Sequence, residues 1–188
     1  MPYRMRVALV GVFVAAGCLG GAVGYGAGQR GGAPAAVDVT SPDFPLGGVI
    51  PTQFTCEGTD ISPALAWNDP PGATRSVALV ADDPDAPGGR WVHWVLFDVP
   101  AGVRTLARNV PKDRRLANGA RQGRNDFGRI GYGGPCPPPG QTHRYFFRIY
   151  ALDTRLSLEP GATAGEVERA TKGHVLAEGY WMGRYARR

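Results

Sequence analysis

The stretch that decides the fold is Gly131–Leu152, GYGGPCPPPGQTHRYFFRIYAL. Its first half holds Gly131, Gly133, Gly134 and the run Pro135–Cys136–Pro137–Pro138–Pro139–Gly140. Proline removes backbone donors and fixes φ, and glycine opens angles that other residues avoid, so this half predicts a stiff, shaped loop. In the second half Tyr145, Phe147, Ile149 and Ala151 alternate with Phe146, Arg148, Tyr150 and Leu152, the period of a strand. That alternation puts His143 and Tyr145 on one face and Arg144 on the other. A rigid loop that feeds two polar side chains onto one face of an aromatic strand suits a pocket wall. The plainer reading is a Pro-rich turn before a hairpin strand.

Working outward, 188 residues argue for one domain with appendages. The 28 glycines and 17 prolines lie between short β-like runs, which favours a loop-rich β protein over a helical one. The net charge is +5, but Arg4, Arg6 and Arg30 fall outside the expected fold, and without them about +2 remains. A general nucleic-acid surface is therefore not expected.

Arg4 and Arg6 precede an uncharged apolar run, Val7–Ala27, whose first part, VALVGVFVAAGC, reads as a signal-peptide core. Ala15–Ala16–Gly17–Cys18 resembles a bacterial lipoprotein processing box, with Cys18 as the lipidation site and with Ala15 where Leu is usual. The alternative is an uncleaved anchor, because the run is long enough to span a bilayer. Residues 1–28 are thus read as a signal peptide or membrane anchor, 29–36 (QRGGAPAA) as a flexible tether and 37–188 as the domain. Either form of the leader places the domain outside the cytoplasm, anchored at the membrane or secreted. If Cys18 is removed or lipidated, Cys56 and Cys136 remain, which suits a disulfide in an oxidising compartment worth roughly 4 kcal/mol. The alternative is two separate buried thiols.

Along the domain, Val37–Thr40 opens the fold as a short strand and Ser76–Ala81 reads as a buried strand. Asp82–Gly89 breaks that strand. In Trp91–Val99 the alternation puts Trp91, His93, Val95, Phe97 and Val99 on one face and Val92, Trp94 and Leu96 on the other. Both faces are largely apolar, so this is a central strand between two layers. Arg104–Arg129 carries eight basic residues against Asp113 and Asp126 and reads as a long surface excursion, either a basic rim for anions or a solvated loop. Thr163 and Glu166 form a capping box for a helix with Val167, Ala170, Thr171 and His174 on one face. Gly179–Tyr185 closes the fold as a last strand.

A lone histidine on an apolar strand is usually a satisfied core residue. Here His93 trails Asp83 and Asp85, and His143 follows the proline loop, so two histidines beside rigid turns point toward a site. Asp83–Pro84–Asp85–Ala86–Pro87, then Trp91 and His93, then Gly131–Gly140 and His143–Arg144–Tyr145 together resemble the phosphatidylethanolamine-binding protein family, closest to its bacterial Raf-kinase-inhibitor-like branch. The resemblance covers about Val37–Arg188 and includes Thr55–Cys56–Glu57–Gly58 and Ser62–Pro63.

The resemblance implies a mainly β fold of two packed antiparallel sheets with a short C-terminal helix and a small anion pocket at one end. It places Asp83, His93, His143 and Tyr145 in the pocket, with Pro87, Trp91 and the Gly134–Pro135 backbone lining it. Imidazoles, a phenol and free backbone N–H groups would supply donors and positive charge to a phosphate. Asp83 would orient a histidine and favour its protonated form. The family also makes the Asp83–Pro84 bond a candidate for the cis form. The implied function is non-enzymatic binding of an anionic or phosphorylated small ligand such as a phospholipid headgroup, with no metal and no cofactor. Two other readings are an interaction or inhibitor module that docks a partner's anionic group, and a hydrolase or metal enzyme built on His93, His143 and Asp83. Kinase inhibition, known for animal members, has no independent support in this sequence.

Overall fold

A computed structural model describes residues 33–187. The expectations for the leader (1–28), for Cys18 and for the start of the tether (29–32) lie outside the described residues. Nine strands, β1 (Ala35–Ala36), β2 (Val39–Thr40), β3 (Leu65–Trp67), β4 (Ser76–Asp83), β5 (Trp91–Pro100), β6 (Thr105–Leu106), β7 (Arg121–Gln122), β8 (Thr142–Leu152) and β9 (Val175–Ala186), form two sheets. The larger has the order β1-β9-β8-β4-β5-β7 and the smaller β2-β3-β6. All pairings are antiparallel except β1 with β9. Ala35 and Ala36, assigned to the tether by the sequence, therefore belong to the domain: they pair with Ala177 and Glu178 at the edge of the large sheet.

The main core lies between the sheets, where Val39, Leu65, Trp67 and Leu106 of the small sheet meet Leu79, Trp94 and Phe147 of the large one. A second core lies on the opposite face of the large sheet, where Val80, Val95, Phe97 and Leu152 pack against Val167 of helix α1 (Ala164–Thr171). This double cover explains the unbroken run Ser76–Ala81: every residue of β4 is buried, so the strand has no polar face to alternate. The strand also runs two residues further than the sequence implied, through Asp82 and Asp83.

Two bulges correct the expected facing of β5. Val77 pairs with Val99 but Leu79 with Leu96, and Ala81 pairs with Trp94 but Asp82 with Val92. The first irregularity holds Asp98 at φ 55. As a result Val95 and Phe97 pack on the helix side while Val99 lies between the sheets. Helix α1 opens with the expected capping box: Thr163 Oγ1 accepts from the Glu166 N–H, and the Glu166 carboxylate accepts from Thr163 N at 2.8 Å. The helix ends at Thr171, so His174 lies beyond it; Gly173 at φ 82 turns the chain, and His174 Nδ1 pairs with Asp153 at 2.8 Å. The Arg104–Arg129 excursion is less solvated than expected, because β6 and β7 anchor it and Val110, Ala120, Gln122 and Asn125 are buried.

Cys56 and Cys136 form a disulfide with Cα atoms 5.4 Å apart, closing a separation of 80 residues. A loop of that length contributes about 4 kcal/mol in the chain-entropy account. At roughly 2–4 °C per kcal/mol for a domain of this size, reduction is expected to lower Tm by about 10 °C. Differential scanning calorimetry with and without dithiothreitol checks this, and coincident transitions would show that the bridge constrains little.

Candidate functional site

At one end of the large sheet the close of β4, the start of β5 and the start of β8 meet. Asp83 terminates β4 opposite Trp91, and β8 lies against the other edge of β4 with Phe146 opposite Asp82. His93 is the extra residue of the second bulge, unpaired in the β4 ladder. Its carbonyl instead accepts from Gly133 N at 2.9 Å. A bulge re-aims a side chain, and here it turns the His93 ring to face Tyr145, whose centroid is 5.2 Å away edge to face.

The two histidines are held by different partners. His93 Nδ1 lies 2.6 Å from the Gly133 carbonyl, which can only accept, so Nδ1 carries a proton. His143 Nδ1 lies 2.8 Å from Asp83 Oδ2 and donates to that carboxylate. Both rings are nearly buried, at 4% and 3% exposure. Burial holds His93 below its ordinary value of 6.5, against the opposing pull of the Gly133 carbonyl and Asp83. The expectation that Asp83 would orient a histidine is met by His143, whereas His93 is kept neutral by desolvation. His143 Nε2 is 3.2 Å from the Gln141 amide.

Asp83, Pro87, Trp91, His93 and His143 line one cavity of about 420 Å³. Three other expected residues do not line it. Tyr145 sits behind His93 with its hydroxyl buried and without a hydrogen-bond partner, and burial together with the nearby Asp83 charge raises its pKa. Gly134 spends its N–H on Asp60 Oδ1 at 2.6 Å, and the Pro135 carbonyl accepts from Cys56 N at 3.1 Å. The backbone of this loop is therefore committed to holding the wall. The Asp83–Pro84 bond is trans, and an Asx turn from Asp83 Oδ1 to Asp85 N, 2.8 Å, closes the corner in that form.

Among the lining groups, sequence reasoning missed Phe127 and Arg187, whereas Cys136–Pro137–Pro138 belong to the loop it read as a pocket wall. Phe127 lies edge-on to both Trp91 and His93, with centroids at 5.4 and 5.3 Å. It is positioned by Asn125, whose amide donates to Gly131 O at 2.9 Å and accepts from Phe127 N and Arg129 N at 3.1 and 3.0 Å. The Asn125–Asp126–Phe127–Gly128 sequence is Asx-turn chemistry that marked a structured corner inside the basic stretch. Arg187 follows the last strand and had no sequence signal. It brings an exposed guanidinium to the cavity, whose other ionisable lining groups are Asp83 and the two histidines.

The arrangement offers a cation, two imidazoles and an apolar rim of Trp91, Phe127, Pro87 and Pro138. Such a set suits a small ester carrying negative charge better than a bare ion. Among the described residues no group of three His, Cys, Asp or Glu side chains is placed to hold a metal ion.

Comparison with known proteins agrees with this architecture. The phosphatidylethanolamine-binding protein family model matches residues 40–186. A UPF0098 protein of Methanothermobacter thermautotrophicus is 54% identical over 140 residues, 74% of this chain and 92% of that protein. One from Aquifex aeolicus is 47% identical over 155 residues, 81% of this chain and 90% of that protein. Among solved structures, E. coli YbcL, described as a new member of the mammalian PEBP family, superposes with a TM-score of 0.75 at 35% identity. That match covers 82% of this chain and 100% of YbcL. A putative PEBP homolog, CT736 of Chlamydia trachomatis, gives 0.74 at 38% identity over 81% of this chain and 99% of that one. With the two sheets, the short helix α1 and the matched segment agreeing, the chain belongs to the phosphatidylethanolamine-binding protein family.

Proposed function

We propose that this protein binds, without chemical conversion, a small phosphorylated or otherwise anionic ligand of the phospholipid-headgroup class. The observation that carries the reading is the convergence of His93, His143 and Arg187 on one cavity, with Asp83 fixing one of the rings. Cys136, the one candidate nucleophile at the wall, is tied up in the disulfide, which supports a binding role over a hydrolytic one. The partly exposed Trp91 at the rim, 38% accessible, also suits a second reading in which the anionic group belongs to a partner protein.

The hydrogen-bond pattern makes binding proton-linked. Each Nδ1 already donates, His93 to a carbonyl and His143 to a carboxylate. Donation to an anion from Nε2 therefore requires the doubly protonated ring. Arg187 supplies the charge that does not titrate.

In calorimetric titration with O-phosphoethanolamine, saturable binding is expected. His143→Ala should weaken it about tenfold to a hundredfold, the scale of a charge-assisted hydrogen bond. Arg187→Ala should weaken it about tenfold and flatten its salt dependence. Binding that survives His143→Ala would move the assignment to the protein-partner reading. Affinity should rise as the pH falls through the imidazole range, and heats in buffers of different ionisation enthalpy should report proton uptake. A flat pH profile with no uptake would remove the imidazoles as the source of charge.

The same burial predicts a stability effect in the ligand-free protein. The folded chain binds fewer protons at His93 than the unfolded chain, so this stabilisation is present above about pH 6.5 and lost as the pH falls below it. His93→Gln should flatten that part of the stability profile, measured by urea unfolding between pH 7 and pH 5. An unchanged slope would show that His93 does not titrate between the two states.

A further inference from the structure

We propose that the turn Pro45–Val49 and the outer face of β8 and β9 beside it form a docking surface for an anionic lipid bilayer. Leu46 and Val49 are the two most exposed large aliphatic residues described, at 58% and 72%. They do not sit on a loose loop. Gly47 adopts φ 73 in a turn closed by Gly48 N to Pro45 O at 2.9 Å. Gly47 N donates to Met182 O, and Ile50 N and Arg184 N tie the turn to β9, each at 2.8 Å. Rigid presentation of two aliphatic side chains to water is unfavourable unless something covers them.

The adjoining sheet face has the composition of a membrane–water interface. Tyr180, 52% exposed, packs at a tilt against Phe146 with ring centroids 5.4 Å apart, and Arg148 lies over the Phe146 ring at 4.6 Å. The acidic groups alongside are already paired, Asp85 with Arg144 and Asp82 with Arg148. Arg184 is exposed and, among the described residues, has no acidic partner, so the end of the face beside Val49 presents positive charge to lipid phosphates. Glu178, opposite Ala36, and Asp38 bound the patch at its other end.

The path of the chain selects a bilayer as the partner. Residues 35–36 pair with β9 at the edge of this same face, so the polypeptide preceding them enters the domain there. Seven residues, 28–34, separate that point from the uncharged apolar run Val7–Ala27. Seven extended residues reach at most about 25 Å. If the apolar run lies in a bilayer, the face nearest Ala35 is held within that distance of the lipid surface. This inference rests on the anchor reading of the leader, and the experiment separates the two.

The full chain carrying Leu46→Trp, or Ala117→Trp as a control beside β7 at the opposite edge of the sheet, is reconstituted with phosphatidylglycerol vesicles containing brominated acyl chains. Co-sedimentation reports the leader. Quenching in excess of the unsubstituted chain reports the face. The expected result is co-sedimentation of both variants, with at least twofold excess quenching for Leu46→Trp and none for Ala117→Trp. Arg184→Glu in the Leu46→Trp chain should reduce that quenching, as should replacing phosphatidylglycerol with phosphatidylcholine. Equal quenching of the two tryptophans, or none, in sedimenting vesicles would overturn the docking face alone. Failure to sediment would overturn both the face and the anchor. A Leu46→Trp emission shift that follows protein concentration without lipid would assign the face to a second copy of the chain.

Discussion

The site depends on the position of β4 between β5 and β8. Those two strands carry the two histidines, and only their shared neighbour fixes how far each reaches along the sheet. Its pairings run from Ser76 opposite both Pro100 and Leu152 to Asp83 opposite Trp91 and Asp82 opposite Phe146. That register brings the end of β4, with its carboxylate, between His93 and His143. A slip of one residue between β4 and β8 would exchange faces, moving His143 to the side now held by Arg144 and breaking the 2.8 Å contact with Asp83. The slip is opposed by the two cores on either face of β4, since it would also turn Phe147 and Ile149 out of the inter-sheet core. The packing that stabilises the domain thus also sets the spacing of the site.

Much of this was legible in residue order. The alternation in Thr142–Leu152 gave the inward set His143, Tyr145, Phe147 and Ile149, and the burial pattern of β8 follows it. The capping box at Thr163 fixed the start of the helix. What could not be read were the irregularities that depend on a neighbouring strand. A bulge is a mismatch between two strands, so neither strand carries its signature alone. That is why the facing of Val95 and Phe97 came out reversed relative to Val99, and why His93 has surroundings unlike those of Val95. Arg187 and Phe127 escaped for a related reason: each reaches the cavity through a chain segment whose path is set by distant contacts.

The loop opposite the strands is a wall because its polar groups are committed. Gly133 and Gly134 direct their N–H groups to the His93 carbonyl and to Asp60, and the Tyr132 hydroxyl donates to the Phe54 carbonyl at 2.7 Å. A side chain at residue 134 would meet the Phe54 carbonyl at 2.3 Å, so only glycine lets the loop approach the 54–60 segment this closely. The disulfide then ties the outer end of the wall to the same segment. Proline and the disulfide lower the number of shapes the rim can take, and a pre-organised rim reduces the ordering cost of binding.

The electrostatics of this end also follow from pairing. The cluster Asp82, Asp83, Asp85 and Asp126 would by itself repel an anion. Each carboxylate is instead engaged: Asp82 by Arg90 and Arg148, Asp83 by His143, and Asp126 by the Val92 N–H at 2.7 Å. Asp85 is held by Arg144, which draws its carboxyl down to about 2 and keeps it ionised and occupied through the physiological range. With these carboxylates engaged, Arg187, which has no acidic partner among the described residues, is the fixed cation of the cavity. Burial disfavours the charged form of His93, so under the proposed binding role the cavity need not carry a desolvated charge while empty. A site of this kind favours ligands that bring their own negative charge over neutral ones of the same shape, because only the former can offset the cost of charging the ring.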